Sequence, residues 1–112
     1  MHCLDRVKAA LLTVSDNVGH YEALKQDDDY IVWAEDGGGD QLNADNAMQE
    51  QVITGMVHLY TRTENSPLVS AIQNAMKSAK ISFSLSAVQY EDSTKYIHYS
   101  WDFEVSGVED RV

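Results

Sequence analysis

Three histidines are the side chains best suited to chemistry in this chain. His20, His58 and His98 lie far apart in the sequence, and imidazole nitrogens are common ligands of transition metals. If the three converged, with Glu22 or an aspartate supplying oxygen, they would suit a metal-dependent enzyme. None of them shows the short paired spacing of zinc motifs. The sequence therefore favours separate surface or hydrogen-bonded histidines, and we expect no metal and no cofactor.

A second group of possible ligands lies between residues 35 and 47, where glycines and carboxylates are mixed. The spacing does not fit a calcium-binding EF-hand, which needs ligands at alternate positions, a central glycine and a terminal glutamate. The three glycines are not followed by the lysine of a phosphate-binding loop either. Because glycine loses so much entropy in a strand or helix, we predict a flexible, solvated loop. Its candidate acidic residues are Glu35, Asp36, Asp40 and Asp45.

Nucleophilic catalysis has no support in the sequence. A Gly-x-Ser-x-Gly elbow is absent, and Cys3 has only His2 nearby to lower its pKa. As the single cysteine, Cys3 excludes an internal disulfide and is compatible with a reducing cytoplasm. We therefore expect that the protein is not an enzyme.

Length and charge limit the number of domains and the classes of function that remain. The 112 residues are typical of a single domain, which we expect to span 1–112. The formal net charge is −10, and residues 16–50 hold ten acidic residues against Lys25 alone. Such a segment repels nucleic-acid phosphate and anionic membrane surfaces. We expect no direct nucleic-acid or membrane binding, and a basic protein partner stays possible.

Hydrophobic runs give no sign of membrane insertion. None approaches the roughly 18 apolar residues of a membrane span, and the N-terminus lacks the apolar segment of a signal peptide. The sequence is typical of a soluble intracellular protein.

The apolar periodicity predicts the elements that would position these side chains. A short helix through about Leu12 is followed by a strand at 30–34 and a longer strand at 51–63. Ser66 and Pro67 begin a second helix, since serine caps free N–H groups and proline fits the first turn. Strands at 81–86 and 97–105 complete the order α-β-β-α-β-β. We predict an α+β fold in which a mostly antiparallel sheet of about four strands carries two helices on one face.

The C-terminal hairpin has the clearest pattern. Large apolar residues alternate with polar ones from Ile97 to Val105, which describes a strand with one buried and one wet face. We predict that the buried face lies under the second helix. The opposite face collects aromatic and histidine side chains and is the candidate interface with a neighbouring subunit. Its predicted residues are Met56, His58, Tyr60, Tyr90, Tyr96 and His98.

The order of these segments also resembles a known family. The residues that carry the likeness are HYEA (20–23), YIVWAEDGGGDQLNADN (30–46), QVITGMVHLYTRTE (51–64), SPLVSAIQNAM (66–76) and SAVQYEDSTKYIHYSWDFEV (86–105). The chain is similar over nearly its whole length to small minor tail, tail-completion or head-tail joining proteins of tailed bacteriophages and of prophages in Gram-positive bacteria.

The resemblance implies an architectural role without catalytic residues. It implies a ring, commonly a hexamer, that ends the tail tube or joins it to the head connector, in the virion tail or, during assembly, in the host cytoplasm. The partners would be copies of the chain and neighbouring tail or connector proteins. An anionic lumen would let DNA pass without binding. An alternative from a different class is a small acidic inhibitor or DNA mimic that binds a basic partner.

Overall fold

The computed structural model describes residues 3–26, 28–38 and 50–108. In chain order the elements are α1 (Cys3–Leu12), β1 (Val18–His20), β2 (Tyr30–Gly38), β3 (Glu50–Thr61), α2 (Pro67–Ser78), β4 (Ser82–Glu91) and β5 (Tyr96–Val108). In the described residues the strands form one sheet in the order β1-β2-β3-β5-β4. Neighbouring strands are antiparallel, except that β1 runs parallel to β2. The predicted α+β class with a mostly antiparallel sheet is confirmed.

The second helix follows its sequence signals closely. The Ser66 hydroxyl accepts a hydrogen bond from the backbone N–H of Leu68 at 3.1 Å, and Pro67 occupies the first turn. The helix buries Ile72 and Met76 completely. No helix in the described residues is long and apolar enough to cross a membrane.

Both helices cover the same face of the sheet. Their buried residues form one cluster with the side chains of β2, β3 and β5 that point toward them. In β5 the alternation is as predicted, since Trp101, Phe103 and Val105 are at most 2 % exposed. The indole Nε1 of Trp101 also donates to Gln73 Oε1 on α2 at 2.9 Å. The central part of this cluster consists of Val7, Leu11, Ile31, Trp33, Val57, Leu59, Ile72, Met76 and Trp101.

The N-terminal half differs from expectation in two places. The described sheet has a fifth strand, β1, between the first helix and the strand at 30–34, where we predicted no strand. It has three residues and includes Gly19, so neither length nor propensity marks it as a strand. The predicted loop at 35–47 is also wrong in its first part. Residues 35–38 continue β2 and pair with β3, with an irregularity between Glu35 and Gly37.

Glycine makes this extension possible. Gly37 has a φ of +155°, a backbone conformation that residues other than glycine rarely adopt. Across the pair, Gly55 of β3 lies so close to β2 that an added Cβ would be 2.3 Å from the carbonyl oxygen of Ala34. The same Cβ would be 2.6 Å from the ring of Phe103. Our prediction of a loop considered only the entropic cost of placing glycine in a strand. Strand pairing can offset that cost. The remainder of the predicted loop, 39–47, lies outside the described residues.

Candidate assembly surfaces

The sheet face opposite the helices, here called the open face, carries a row of rings. Tyr30 on β2, Tyr60 on β3 and His98 on β5 lie in register across three strands. The Tyr30 and Tyr60 rings stack with centroids 4.5 Å apart, and those of Tyr60 and His98 stack at 4.2 Å. Each of the three strands contributes one ring. Alternate residues of a strand point to the same face, and these three residues lie directly opposite one another on neighbouring strands. The structure thus brings together several residues of the predicted interface.

Tyr96 begins the same face but is not available to another subunit. Only 4 % of the residue is exposed. Its hydroxyl donates to the carbonyl oxygens of Gln26 and Asp28 at 2.5 and 3.0 Å, and the Arg62 guanidinium lies 4.1 Å from its ring centroid. The chain before β2 therefore folds over this end of the open face. Our expectation that Tyr96 is exposed is wrong, because a loop of the same chain covers it.

Tyr90 lies on the other side of the sheet. It pairs with Ile97, whereas Ala87 pairs with Ser100 on the open face. The reason is a bulge in β4, where the register shifts between Leu85 and Ala87. An extra residue in one strand reverses the side on which all later side chains emerge. The expected grouping of Tyr90 with His98 is therefore wrong.

Two of the three candidate histidines meet on the open face. His58 Nδ1 lies 2.9 Å from His98 Nε2, and the Ser100 hydroxyl is 3.1 and 3.2 Å from these two nitrogens. Burial lowers the pKa of both imidazoles, and the neighbouring His98 lowers the pKa of His58 further. Both rings are therefore mainly neutral at pH 7. One ring nitrogen donates a hydrogen bond to the other, so the two imidazoles contact each other on the open face as an uncharged pair.

His20 does not join this pair. It stacks on Trp33, with ring centroids 3.9 Å apart, and its Nε2 lies 2.7 Å from Glu35 Oε1. The hypothesis of a site built from His20, His58 and His98 is therefore wrong. In the part of the chain that the structure describes, no three histidine, cysteine or acidic side chains lie together as a metal site.

The described acidic residues of the predicted loop take part in β2 contacts. Partial burial raises the pKa of the Glu35 carboxyl, but hydrogen bonds from His20, its own backbone N–H and Tyr21 outweigh this effect and lower it. Asp36 Oδ1 accepts a hydrogen bond from the Thr54 hydroxyl at 3.0 Å. Asp40 and Asp45 lie outside the described residues. Glu35 thus links the end of β1 to β2, and Asp36 stabilises the end of the β2–β3 pair.

The outer strand β4 carries a surface that sequence reasoning missed. It is an edge of the sheet, so half of its backbone N–H and C=O groups have no strand beside them within the described part of the chain. Leu85, Val88 and Tyr90 are 48, 51 and 59 % exposed, and all three point to the helix side beyond the cover of α2. Residues 81–90 contain no charge and no proline. This strand, here called the β4 edge, has its one charge at its last residue, Glu91, and from Ser82 to Tyr90 it lacks the charged residues that normally prevent strand pairing.

The other edge of the sheet is protected. β1 has only three residues, so it offers little backbone for pairing with another chain, and a loop follows it directly at residues 21–24. A Cβ on Gly19 would be 1.9 Å from the Glu22 carbonyl oxygen, so this loop packs directly on the strand. Of the two edges, only the β4 edge offers a long run of backbone for pairing.

Comparison with known proteins adds no relative. No protein-family model matches the chain, and no curated protein sequence matches it.

Proposed function

We propose that the chain is a structural protein of a bacteriophage or prophage tail, of the tail-completion or head-tail joining type. It assembles with itself and with neighbouring tail or connector proteins, and it is not an enzyme. The resemblance of its segment order to such proteins supports the class. The described structure contributes a surface suited to assembly.

The observation that carries this proposal is the β4 edge. Monomeric proteins protect long edge strands with charges, prolines, β-bulges or covering segments, since an unprotected edge pairs with other chains. Of these devices, β4 has the bulge between Leu85 and Ala87 and a charge at its last residue, Glu91. Here ten residues of edge strand combine unpaired backbone groups with exposed Leu85, Val88 and Tyr90. A protein that works as a monomer gains nothing from such a surface, whereas an assembly protein needs one.

The acidic excess fits the same role. A net charge of −10 limits random association of copies, so that contacts form only where shape and hydrogen bonding are good. In a ring such as a hexamer, carboxylates on the inner wall would let DNA pass without binding to it. The protein would act in the virion tail and, during assembly, in the host cytoplasm.

The test is the oligomeric state across a concentration series. We expect light scattering after size exclusion, from 10 μM to 1 mM at physiological salt, to show species larger than the monomer. Electron microscopy of the largest species should show a ring. The capsid, connector or tail-tube genes that we expect beside this gene would support the class.

A strict monomer over this range that also fails to bind tail and connector proteins would overturn the proposal. If that monomer instead bound a basic protein through its acidic segment, the inhibitor or DNA-mimic alternative would replace it.

A further inference from the structure

We propose that β4 pairs antiparallel with β4 of a second copy around a two-fold axis, in a register that uses its whole length. This inference rests on the proposed self-assembly, for which it names the first partner and the contact. The register places Ser82 opposite Glu91 of the second copy and Leu85 opposite Val88 of the second copy. The two sheets then become one continuous sheet.

The bulge in β4 is what makes this register possible. Residues directly opposite each other in an antiparallel pair have side chains on the same face. In a regular strand Leu85 and Val88 would point to opposite faces, so the full-length register would place apolar side chains against polar ones. The bulge between Leu85 and Ala87 brings both to the helix side, where they pair with Trp101 and Tyr99 of β5. Each half of β4 is therefore the complement of the other half.

The matching extends along the whole strand. On the helix side the register opposes Phe83 with Tyr90 of the second copy, in addition to the pair of Leu85 and Val88. On the open face it opposes Ser84 with Gln89 of the second copy. Apolar residues thus meet apolar ones and polar residues meet polar ones on both faces of the joined sheet, except at the axis, where Ser86 lies opposite Ala87 of the second copy.

Charge also favours the antiparallel direction. Lys80 precedes the strand and Glu91 and Asp92 end it, with no charge between. Antiparallel pairing brings the basic start of each strand beside the acidic end of the other, whereas parallel pairing would place like charges together. Lys95 does not cancel this pattern, because it adjoins β5 on the far side of the turn.

A two-fold contact closes on itself and cannot extend into a ring. A ring such as a hexamer would then be built from dimers through a second contact. The open-face residues Met56, His58 and Tyr60 stay the predicted surface for that contact. The β4 edge accounts for the dimer alone.

Disulfide trapping tests the register. Ser84 and Gln89 are exposed, and in the proposed register their Cα atoms are about 5 Å apart across the axis, within disulfide range. A mixture of the single variants Ser84→Cys and Gln89→Cys should give a cross-linked dimer under mild oxidation. Each variant alone should not, because two copies of residue 84 would be about 14 Å apart. Wild-type protein, whose Cys3 is buried, controls for unrelated disulfides.

The outcomes separate this inference from the proposed function. Self-association of the wild type without the mixed cross-link, or with cross-linking of one variant alone, overturns the register and leaves the proposed assembly standing. A strictly monomeric wild type overturns both.

A charge on the β4 edge gives a second readout. Val88→Lys should weaken dimerisation at least about tenfold, since a lysine would face Leu85 of the second copy. Leu24→Lys, at a residue 69 % exposed in the loop before β2, is the matched control and should not alter the dimer. Equal dimer affinity for Val88→Lys and wild type would contradict the contact. Circular dichroism checks that both variants fold.

Discussion

The two faces of the sheet are held by different physics. On the helix side, Leu59 and Trp101 are fully buried in a continuous apolar cluster. On the open face, Tyr60 and His98 stack on each other, and hydrogen bonds tie the covering loop to Tyr96. Adjacent residues of one strand, such as Leu59 and Tyr60, therefore take part in different kinds of interaction. The helix side supplies the free energy of folding, whereas the open face supplies an ordered polar surface.

Truncating a core residue on the helix side should lower stability strongly. Leu59→Ala removes a fully buried side chain and leaves a cavity, so we expect a loss of about 3 kcal/mol in the free energy of unfolding. Urea denaturation measures it. His58→Ala, one residue earlier on the open face, is the control and should cost much less. Equal losses at the two positions would mean that the open face is packed as a core.

The next effect concerns the loop that covers the open face. Tyr96→Phe keeps the ring but removes the hydroxyl that donates to Gln26 and Asp28. We expect a loss of about 1 kcal/mol and faster amide hydrogen exchange in residues 21–26. Unchanged exchange there would show that these hydrogen bonds do not hold the loop. Tyr99→Phe on the helix side is a suitable control.

The pH dependence should separate the faces further. Burial lowers the folded-state pKa of His58 and His98, so the unfolded chain binds more protons below the usual imidazole value of about 6.5. Stability should therefore be constant above pH 7 and fall as the pH is lowered through 6.5 toward 5.5. Glu91 opposes part of the shift at His98. Thermal unfolding from pH 5.5 to 7.5 measures the slope.

Replacing both His58 and His98 should remove this dependence of stability on pH. The double variant His58→Gln, His98→Gln should unfold at nearly the same temperature across this range. A wild-type profile that is flat between pH 5.5 and 7 would contradict a buried, neutral histidine pair.

The smallest effect on folding should come from a charge on the open face. Met56→Lys should change the free energy of unfolding by no more than about 0.5 kcal/mol, because residue 56 is only partly buried. Val57→Lys, at a residue with no exposed surface, should prevent folding, since a buried charge has no partner there. If the open face forms the second contact of a ring, Met56→Lys should reduce the largest assemblies but leave dimers intact.

The sequence predicted best where one physical signal dominates. Alternation in β5 identified Trp101 and Phe103 as core, and the cap at Ser66 located the start of α2 because both signals are local. β1 and the end of β2 were missed because their strand structure depends on pairing with distant residues. Tyr90 was placed on the wrong side because a one-residue bulge leaves the composition of β4 unchanged. The cover over Tyr96 depends on a loop some seventy residues earlier in the chain.

The central pairing of β3 with β5 has a consequence for the order of folding. Thr61 pairs with Ile97 and Ile53 with Val105, so α2 and β4 lie within the segment that this pairing closes. The β4–β5 hairpin closes through the short turn at 92–95, and such hairpins form in about 1–10 μs, ahead of more distant strand pairs. If the hairpin forms first, the β4 edge is exposed before the helices cover the sheet. The serines at 82, 84 and 86 then keep one face of the nascent hairpin polar while pairing partners are still incomplete.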